Sequence, residues 1–185
     1  PDGSGILVKP SAILGHRRLS IIDIAGGQQP MMTDDGKIGI TYNGEVYNYV
    51  EIRNELIELG HKFQTNSDTE VVLKAFSQYG IKCLQKLRGM FAFVIVNFEA
   101  KEFFAVRDRF GIKPLYYSKQ DDFYIFSSEI RPMHHSGLIP FEVNSKKLEE
   151  YLVFGYIAGQ ETLHQNVQEI ESGHYLYISQ NKKEY

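Results

Sequence analysis

The stretch Thr41-Tyr42-Asn43-Gly44-Glu45-Val46-Tyr47-Asn48 follows a β-branched run, Ile38 to Thr41, and leads into a helix-like pattern. It therefore predicts a strand that ends near an Asn-Gly pair, with a helix soon after. Two readings of that pair stand open. Asn-Gly is a common hairpin signal, which would make it a plain turn. An Asn amide and a Gly N–H can instead aim at one oxygen atom and stabilise the negative charge that grows when a carbonyl is attacked. Gly suits the second donor because it has no Cβ to block an approaching substrate.

Working outward, Lys37 to Tyr42 reads as a strand entered through the turn Asp34-Asp35-Gly36. Apolar residues at Val50, Ile52, Leu56, Ile57 and Leu59 give a helical face from Tyr49 to Leu59, stopped by Gly60. A second helix is predicted from Thr69 to Tyr79. Ser67 and Glu70 before it have the spacing of a capping box. Ile81 to Leu87 reads as a short third helix. Towards the N-terminus, Pro1 to Gly5 is turn-like, Ile6 to Val8 and Ala12 to Gly15 are short strands, and Leu19 to Ile24 is strand-like. Beyond the helices come strands at Met90 to Phe98, Phe103 to Asp108, Leu115 to Lys119 and Phe123 to Ser127. A helix from Ser145 to Phe154, capped by Asn144 or Ser145, and a last strand, His174 to Ser179, complete the pattern. Adjacent strands with short turns imply antiparallel pairing. The class is α+β, with sheets packed under helices.

The bulk numbers narrow the function. The 185 residues suit one domain, with net charge −3, one Cys, no Trp, 12 Tyr and 12 Phe. A dedicated nucleic-acid binder would usually show a basic face. No run of 18 apolar residues predicts a membrane span. A single Cys fits a reducing cytoplasm.

Three segments offer polar groups for an amino-acid ligand. Arg18, in His16-Arg17-Arg18, could hold a carboxylate through two parallel N–H···O bonds, or be a surface loop Arg. Asp68 could accept bonds from an ammonium group, or serve the helix N-terminus. Asn43 and Gly44 are the third segment. Other candidates read as structural. Cys83, in Ile81-Lys82-Cys83-Leu84, is a core residue rather than a nucleophile. His134-His135 is a loop pair rather than a metal site. Arg107-Asp108-Arg109 is a salt-bridged strand end. Gly26-Gly27 lacks the Lys-Ser/Thr of a phosphate loop.

At these residues the chain resembles the glutamine amidotransferase domain of glutamine-hydrolysing asparagine synthetases. The matching segments, in order, are Pro1 to Gly5, His16 to Asp23, Gln29-Pro30, Tyr42 to Asn48 and Ser67 to Glu70. Gly89 to Phe93, Arg107 to Tyr117, Ser127 to Ile130 and Glu171 to Tyr175 continue the run. The resemblance spans the chain. Amidotransferases that make phosphoribosylamine share the layout but carry Asn-Gly-Asn-Leu where this chain has Asn43 to Val46.

The resemblance implies an N-terminal-nucleophile hydrolase sandwich, with two mostly antiparallel sheets between helical layers. It implies that Arg18 holds the α-carboxylate of glutamine and Asp68 its α-ammonium. Asn43 and Gly44 become the oxyanion hole, Glu45 lines the pocket, and backbone near Ile21 and Ile22 helps hold the substrate. Family members begin with a Cys whose thiolate attacks the glutamine amide. Its own α-amine, with pKa about 7.7–8, serves as base.

This chain begins at Pro1, so the expectation is a domain over residues 1–185 that lacks its N-terminal segment and nucleophile and is inactive alone. The ATP-dependent synthetase domain is likewise expected to be absent. No cofactor is expected in this domain, since ATP and Mg²⁺ would belong to the synthetase domain. Expected partners are glutamine and the synthetase domain of the same polypeptide, not nucleic acid or membrane, with a homo-oligomeric parent in the cytoplasm. The alternatives are a non-catalytic glutamine-binding module or an amidotransferase for another acceptor.

Overall fold

A computed structural model describes residues 2–19, 22–23 and 26–179, and the backbone of 182–184. The centre is an antiparallel sheet in the order β11-β10-β6-β5-β4-β3. Its strands are β3 (Met31–Met32), β4 (Ile38–Val46), β5 (Gly89–Asn97), β6 (Glu102–Arg107), β10 (Tyr175–Ser179) and β11 (Lys182–Glu184). Beside it lie a hairpin, β1 (Gly3–Lys9) with β2 (Ala12–Arg18), and a small sheet in the order β8-β7-β9. The latter comprises β7 (Tyr116–Lys119), β8 (Tyr124–Ser127) and β9 (Gln168–Glu169).

Side-chain alternation along the central strands builds two cores. Ile40, Tyr42 and Val46 of β4 and Phe91, Phe93 and Ile95 of β5 face α1 (Tyr49–Glu58) and α2 (Asp68–Tyr79). Ala92, Val94 and Val96 face the other way, against Leu14 of β2, Leu115, and Tyr117 of β7. β5 is thus buried on both faces, which explains its unbroken apolar sequence. Each such large side chain contributes about 1.5–3 kcal/mol through burial. A third cluster packs Met133 of α3 (Ile130–His135) with Ile139 and Val167, against Tyr116 and Ile125. Helices therefore lie outside both β layers, the αββα arrangement expected. Among the described residues, no helix is long and apolar enough to cross a membrane.

Several local expectations are corrected. Gly3 to Gly5 belong to β1 rather than a turn; Pro1 lies outside the described residues. The strand expected over Leu19 to Ile24 is not formed at Leu19, Ile22 or Asp23. Its other members, Ser20, Ile21 and Ile24, lie outside the described residues. The third helix is a 3-10 helix, Gly80–Gln85. His134 and His135 end α3 instead of sitting in a loop. Pro132 sits in the first turn of that helix, where a missing N–H is tolerated.

Ser67 does cap α2, accepting from Thr69 N at 3.0 Å, but the reciprocal half of the capping box is absent. The Glu70 carboxylate accepts from Gln64 N at 2.9 Å, Thr65 N at 2.7 Å and the Thr65 hydroxyl at 2.7 Å. Glu70 thus ties down the approach to the helix. Asp108, expected in a salt-bridged strand end, is instead bonded by backbone N–H groups, and Arg107 pairs with Glu169 at 2.9 Å.

Candidate functional site

The Asn43-Gly44 pair is neither a turn nor a strand end. β4 continues through it, with Asn43 opposite Ala92, Gly44 opposite Phe91 and Val46 opposite Gly89. A Cβ on Gly44 would lie 2.3 Å from Met90 O and 2.6 Å from Phe91 Cα. The glycine is therefore demanded by the close approach of β5, and the expectation that it clears a path for substrate is replaced by that reason.

On the outer edge of β4, β3 pairs only with Gly39 and Ile40. Past that point side chains take over the work of a strand. Gln29 accepts from Tyr42 N at 2.7 Å and donates to Tyr42 O at 2.9 Å. Two residues on from Gly44, Val46 N donates to Asp68 Oδ2 at 3.1 Å. Backbone N–H groups alternate sides along a strand. The Gly44 N–H, midway between those of Tyr42 and Val46, thus points out from the same edge and away from β5.

Asp68 stands at the first turn of α2 and is 5% exposed. The Tyr42 hydroxyl donates to its Oδ2 at 2.6 Å. Burial, then the Asp68 charge and that hydrogen bond, then Glu45, push the Tyr42 phenol far above its ordinary value. Tyr42 is thus a permanent hydrogen-bond donor that orients the carboxylate. This arrangement gives Asp68 its place, beyond the helix-end role that its sequence position allows.

Arg18 ends β2 and is 7% exposed. Its Nη2 donates to Ile22 O at 2.7 Å and Asp23 O at 2.8 Å. A Cβ on Gly27 would come within 2.4 Å of that nitrogen, so Gly27 leaves the room the guanidinium occupies. Asp23 ties Gly26 to the approach of α2, accepting from Asn66 N at 2.7 Å and Gly26 N at 2.9 Å. Those two bonds, with Arg18 and Arg53 adding to them, hold its carboxyl below the usual range. Near Arg18, His16 pairs through Nδ1 with the Thr41 hydroxyl at 3.3 Å. Burial and then Arg18 lower its pKa, which favours the neutral ring.

Arg18, Asn43, Gly44, Glu45 and Asp68 all line one cavity of about 2000 Å³, together with Ile22 and Gln29. The structure thus places the five sequence-predicted residues around one cavity, which also runs along β1, β2, β8 and α3. Ile21, expected to help through its backbone, lies outside the described residues. Gln29 and Tyr42, which set the geometry of the β4 edge, were not read as site residues. Their partners lie 13 and 26 residues away in the chain, so no local spacing reveals them. Cys83 is fully buried, and burial pushes its thiol up to about 12. It faces the α1/α2 core and takes no part in this cavity. Among the described residues no group of three or more His, Cys, Asp or Glu could hold a metal ion.

Comparison with solved structures places the fold in a class. Glutamine phosphoribosylpyrophosphate amidotransferase from Bacillus subtilis, complexed with ADP and GMP, superposes with a TM-score of 0.62 at 23% identity. The match covers 93% of this chain and 34% of that one. At that identity the likeness speaks for the fold alone, β layers packed between helices.

The sequence goes further. The profile described as "Glutamine amidotransferase domain" matches residues 1–185, and the chain belongs to that family. It is 40% identical over 173 residues to asparagine synthetase [glutamine-hydrolyzing] 1 of Bacillus subtilis, covering 94% of this chain and 27% of that protein. It is 36% identical over 184 residues to asparagine synthetase [glutamine-hydrolyzing] 3 of the same organism, covering 98% and 30%. The chain thus spans less than a third of the length of these relatives.

Proposed function

We propose that this chain is the glutamine-binding, glutaminase part of a longer glutamine-hydrolysing asparagine synthetase. The observation that carries the reading is the open edge of β4, where the Gly44 N–H points outward between two anchored neighbours, with the Asp68 carboxylate on the same edge. A glutamine side-chain carbonyl would set its oxygen between the Asn43 amide and the Gly44 N–H. These donors would be in place before charge develops, so no reorganisation is needed at the moment of reaction. Arg18 would take the α-carboxylate and Asp68 the α-ammonium, with Glu45 closing the wall.

The attacking thiol would be an N-terminal Cys of the parent, because Cys83 is buried and unionised. The ammonia released would be passed to an aspartyl-adenylate in the synthetase domain. ATP and Mg²⁺ would be bound there and not by this domain. The single buried Cys also fits a parent that works in the reducing cytoplasm, where we expect it to be a homo-oligomer.

The test uses the parent protein. Removing one partner of a charged contact costs about 2–5 kcal/mol. Arg18→Ala or Asp68→Ala should therefore lower kcat/KM for glutamine by at least about 30-fold. Synthesis from added ammonia should stay within about twofold. Equal loss of both activities refutes the assignment. A polypeptide of these 185 residues should release no glutamate from glutamine, and turnover abolished by alkylating Cys83 would overturn that.

A further inference from the structure

One surface has no role in the glutamine site. The helix Ser145–Phe154, here α4, has no buried residue along its length. Leu152 and Val153 are each 74% exposed, Phe154 is 65% and Tyr156 just beyond is 64%. Phe110, on the loop after β6, is 82% exposed. Phe110 and Gly111 line a cavity of about 550 Å³ together with Gly159, in the loop that follows α4. The Phe154 and Tyr156 rings lie 6.4 Å apart.

These side chains are displayed on anchored backbone. Asp108 accepts from Phe110 N at 3.0 Å, Ile112 N at 3.1 Å and Lys113 N at 3.0 Å. Arg107 donates to Gly111 O and Lys113 O, each at 2.9 Å. Behind α4, Glu150 takes Lys147 Nζ at 2.6 Å and Ala158 N at 2.8 Å, folding the next loop back on the helix. A surface ordered in advance has already met much of the entropic cost of binding.

We propose that Phe110, the C-terminal half of α4 and Tyr156 form the face on which the synthetase domain of the parent docks; this rests on the reading of the chain as part of such a parent. Two arguments favour that occupant. The first is area. Aromatic side chains offer roughly 200 Å² each, so the exposed surface of Phe110, Phe154 and Tyr156 sums to about 400 Å², and Leu152 and Val153 add to it. That matches the largest patches lone monomers show and is at least about half of the roughly 800 Å² each partner gives a stable interface. The second is the chain itself. Nearly three quarters of the first relative's length lies beyond the part this domain matches. A tethered domain sits at high effective concentration and needs only a modest patch. A membrane surface is disfavoured, because the charges behind the patch are paired with one another instead of forming a basic rim.

The experiment is hydroxyl-radical footprinting of the parent protein, with Tyr47 (61% exposed) as internal reference. Burial in an interface core would slow oxidation of Phe110, Phe154 and Tyr156 by roughly fivefold or more relative to Tyr47. Oxidation of all three at the rate of Tyr47 overturns the proposal. So does protection that vanishes on dilution together with a fall in sedimentation mass, which assigns the face to a second copy.

A double variant, Val153→Asp with Phe154→Asp, adds a functional readout on exposed positions. The ratio of asparagine made to glutamate released should fall. Glutamine hydrolysis and ammonia-dependent synthesis should stay within about twofold, because neither site is touched. An unchanged ratio in a variant whose footprint at Phe110 and Tyr156 is also unchanged overturns the proposal. Footprinting requires no activity, so a parent without glutaminase would refute the proposed function while docking is still read.

Discussion

Gln29→Met isolates the side chain that substitutes for a strand. Methionine nearly matches glutamine in length and volume, so the change removes hydrogen bonds without opening a large cavity. Three bonds go: those with Tyr42 N and Tyr42 O, and one to the Thr69 hydroxyl at 3.3 Å. Gln29 is 7% exposed and Tyr42 3%, so water cannot easily replace them. A buried polar group left unsatisfied costs about 1–3 kcal/mol, so two such backbone groups give roughly 2–6 kcal/mol. Native domains hold only about 5–15 kcal/mol in total, which makes this a large share. With a urea slope of about 2 kcal/mol per M, the midpoint should fall by roughly 1–3 M. The chain has no Trp, so far-UV circular dichroism is the suitable probe. In the parent, the variant should also lower kcat for glutamine more than it raises KM. The Gly44 donor is held by the peptide two residues before it, and a loose donor harms the transition state most. A midpoint shift under about 0.5 M, with glutamine kinetics unchanged, would refute the view that Gln29 completes the edge of β4.

Gly44→Ala should cost about 3 kcal/mol, because a backbone clash at 2.3 Å separates β4 from β5. Tm should drop by roughly 6–12 °C, and an unchanged calorimetric Tm would be contrary to this packing. Cys83, with its thiol raised to about 12, should resist a thiol reagent at pH 8 until the chain unfolds; rapid labelling of native protein would contradict its burial. The Asp23 carboxyl is lowered in the folded state by the N–H groups of Asn66 and Gly26. The contribution of a depressed acid is fully present above its unfolded pKa of about 3.9 and is lost as pH falls through the folded value. Proteolytic cleavage next to Asp23 should therefore rise only below about pH 4, and Asp23→Asn should remove that dependence. Equal cleavage from pH 7 to 3 in both proteins would count against it.

Much of the fold was legible because local chemistry and tertiary packing agree. α4 begins at an Asn cap, which accepts from Lys147 N at 3.3 Å, and ends at Gly155 with φ of 76°. Its limits follow from those residues alone. α1 and α2 likewise carry their stop signals at Gly60 and Gly80. α3 escaped notice because six residues give no periodicity and Pro132 suggests a break. The capping box at Ser67 was half right. Glu70 had better partners in the Gln64–Thr65 backbone than in Ser67, a competition that spacing does not express. The candidate residues were legible as chemistry: an Arg, an Asp and an Asn-Gly pair suited to an amino acid. That they share one cavity is a fact of packing.

The sequence by itself determined the alternation of elements, the two-sided apolar strand β5 and the inventory of groups able to meet a carboxylate, an ammonium and a carbonyl oxygen. These are properties of neighbouring residues, so a local pattern records them. Only the tertiary structure decided that the Asn43-Gly44 pair lies within a strand, that β5 is the reason for the glycine, and that Gln29 and Tyr42 shape the wall. Each depends on a partner brought close by the fold across a sheet edge, at a separation along the chain that no repeat or spacing encodes.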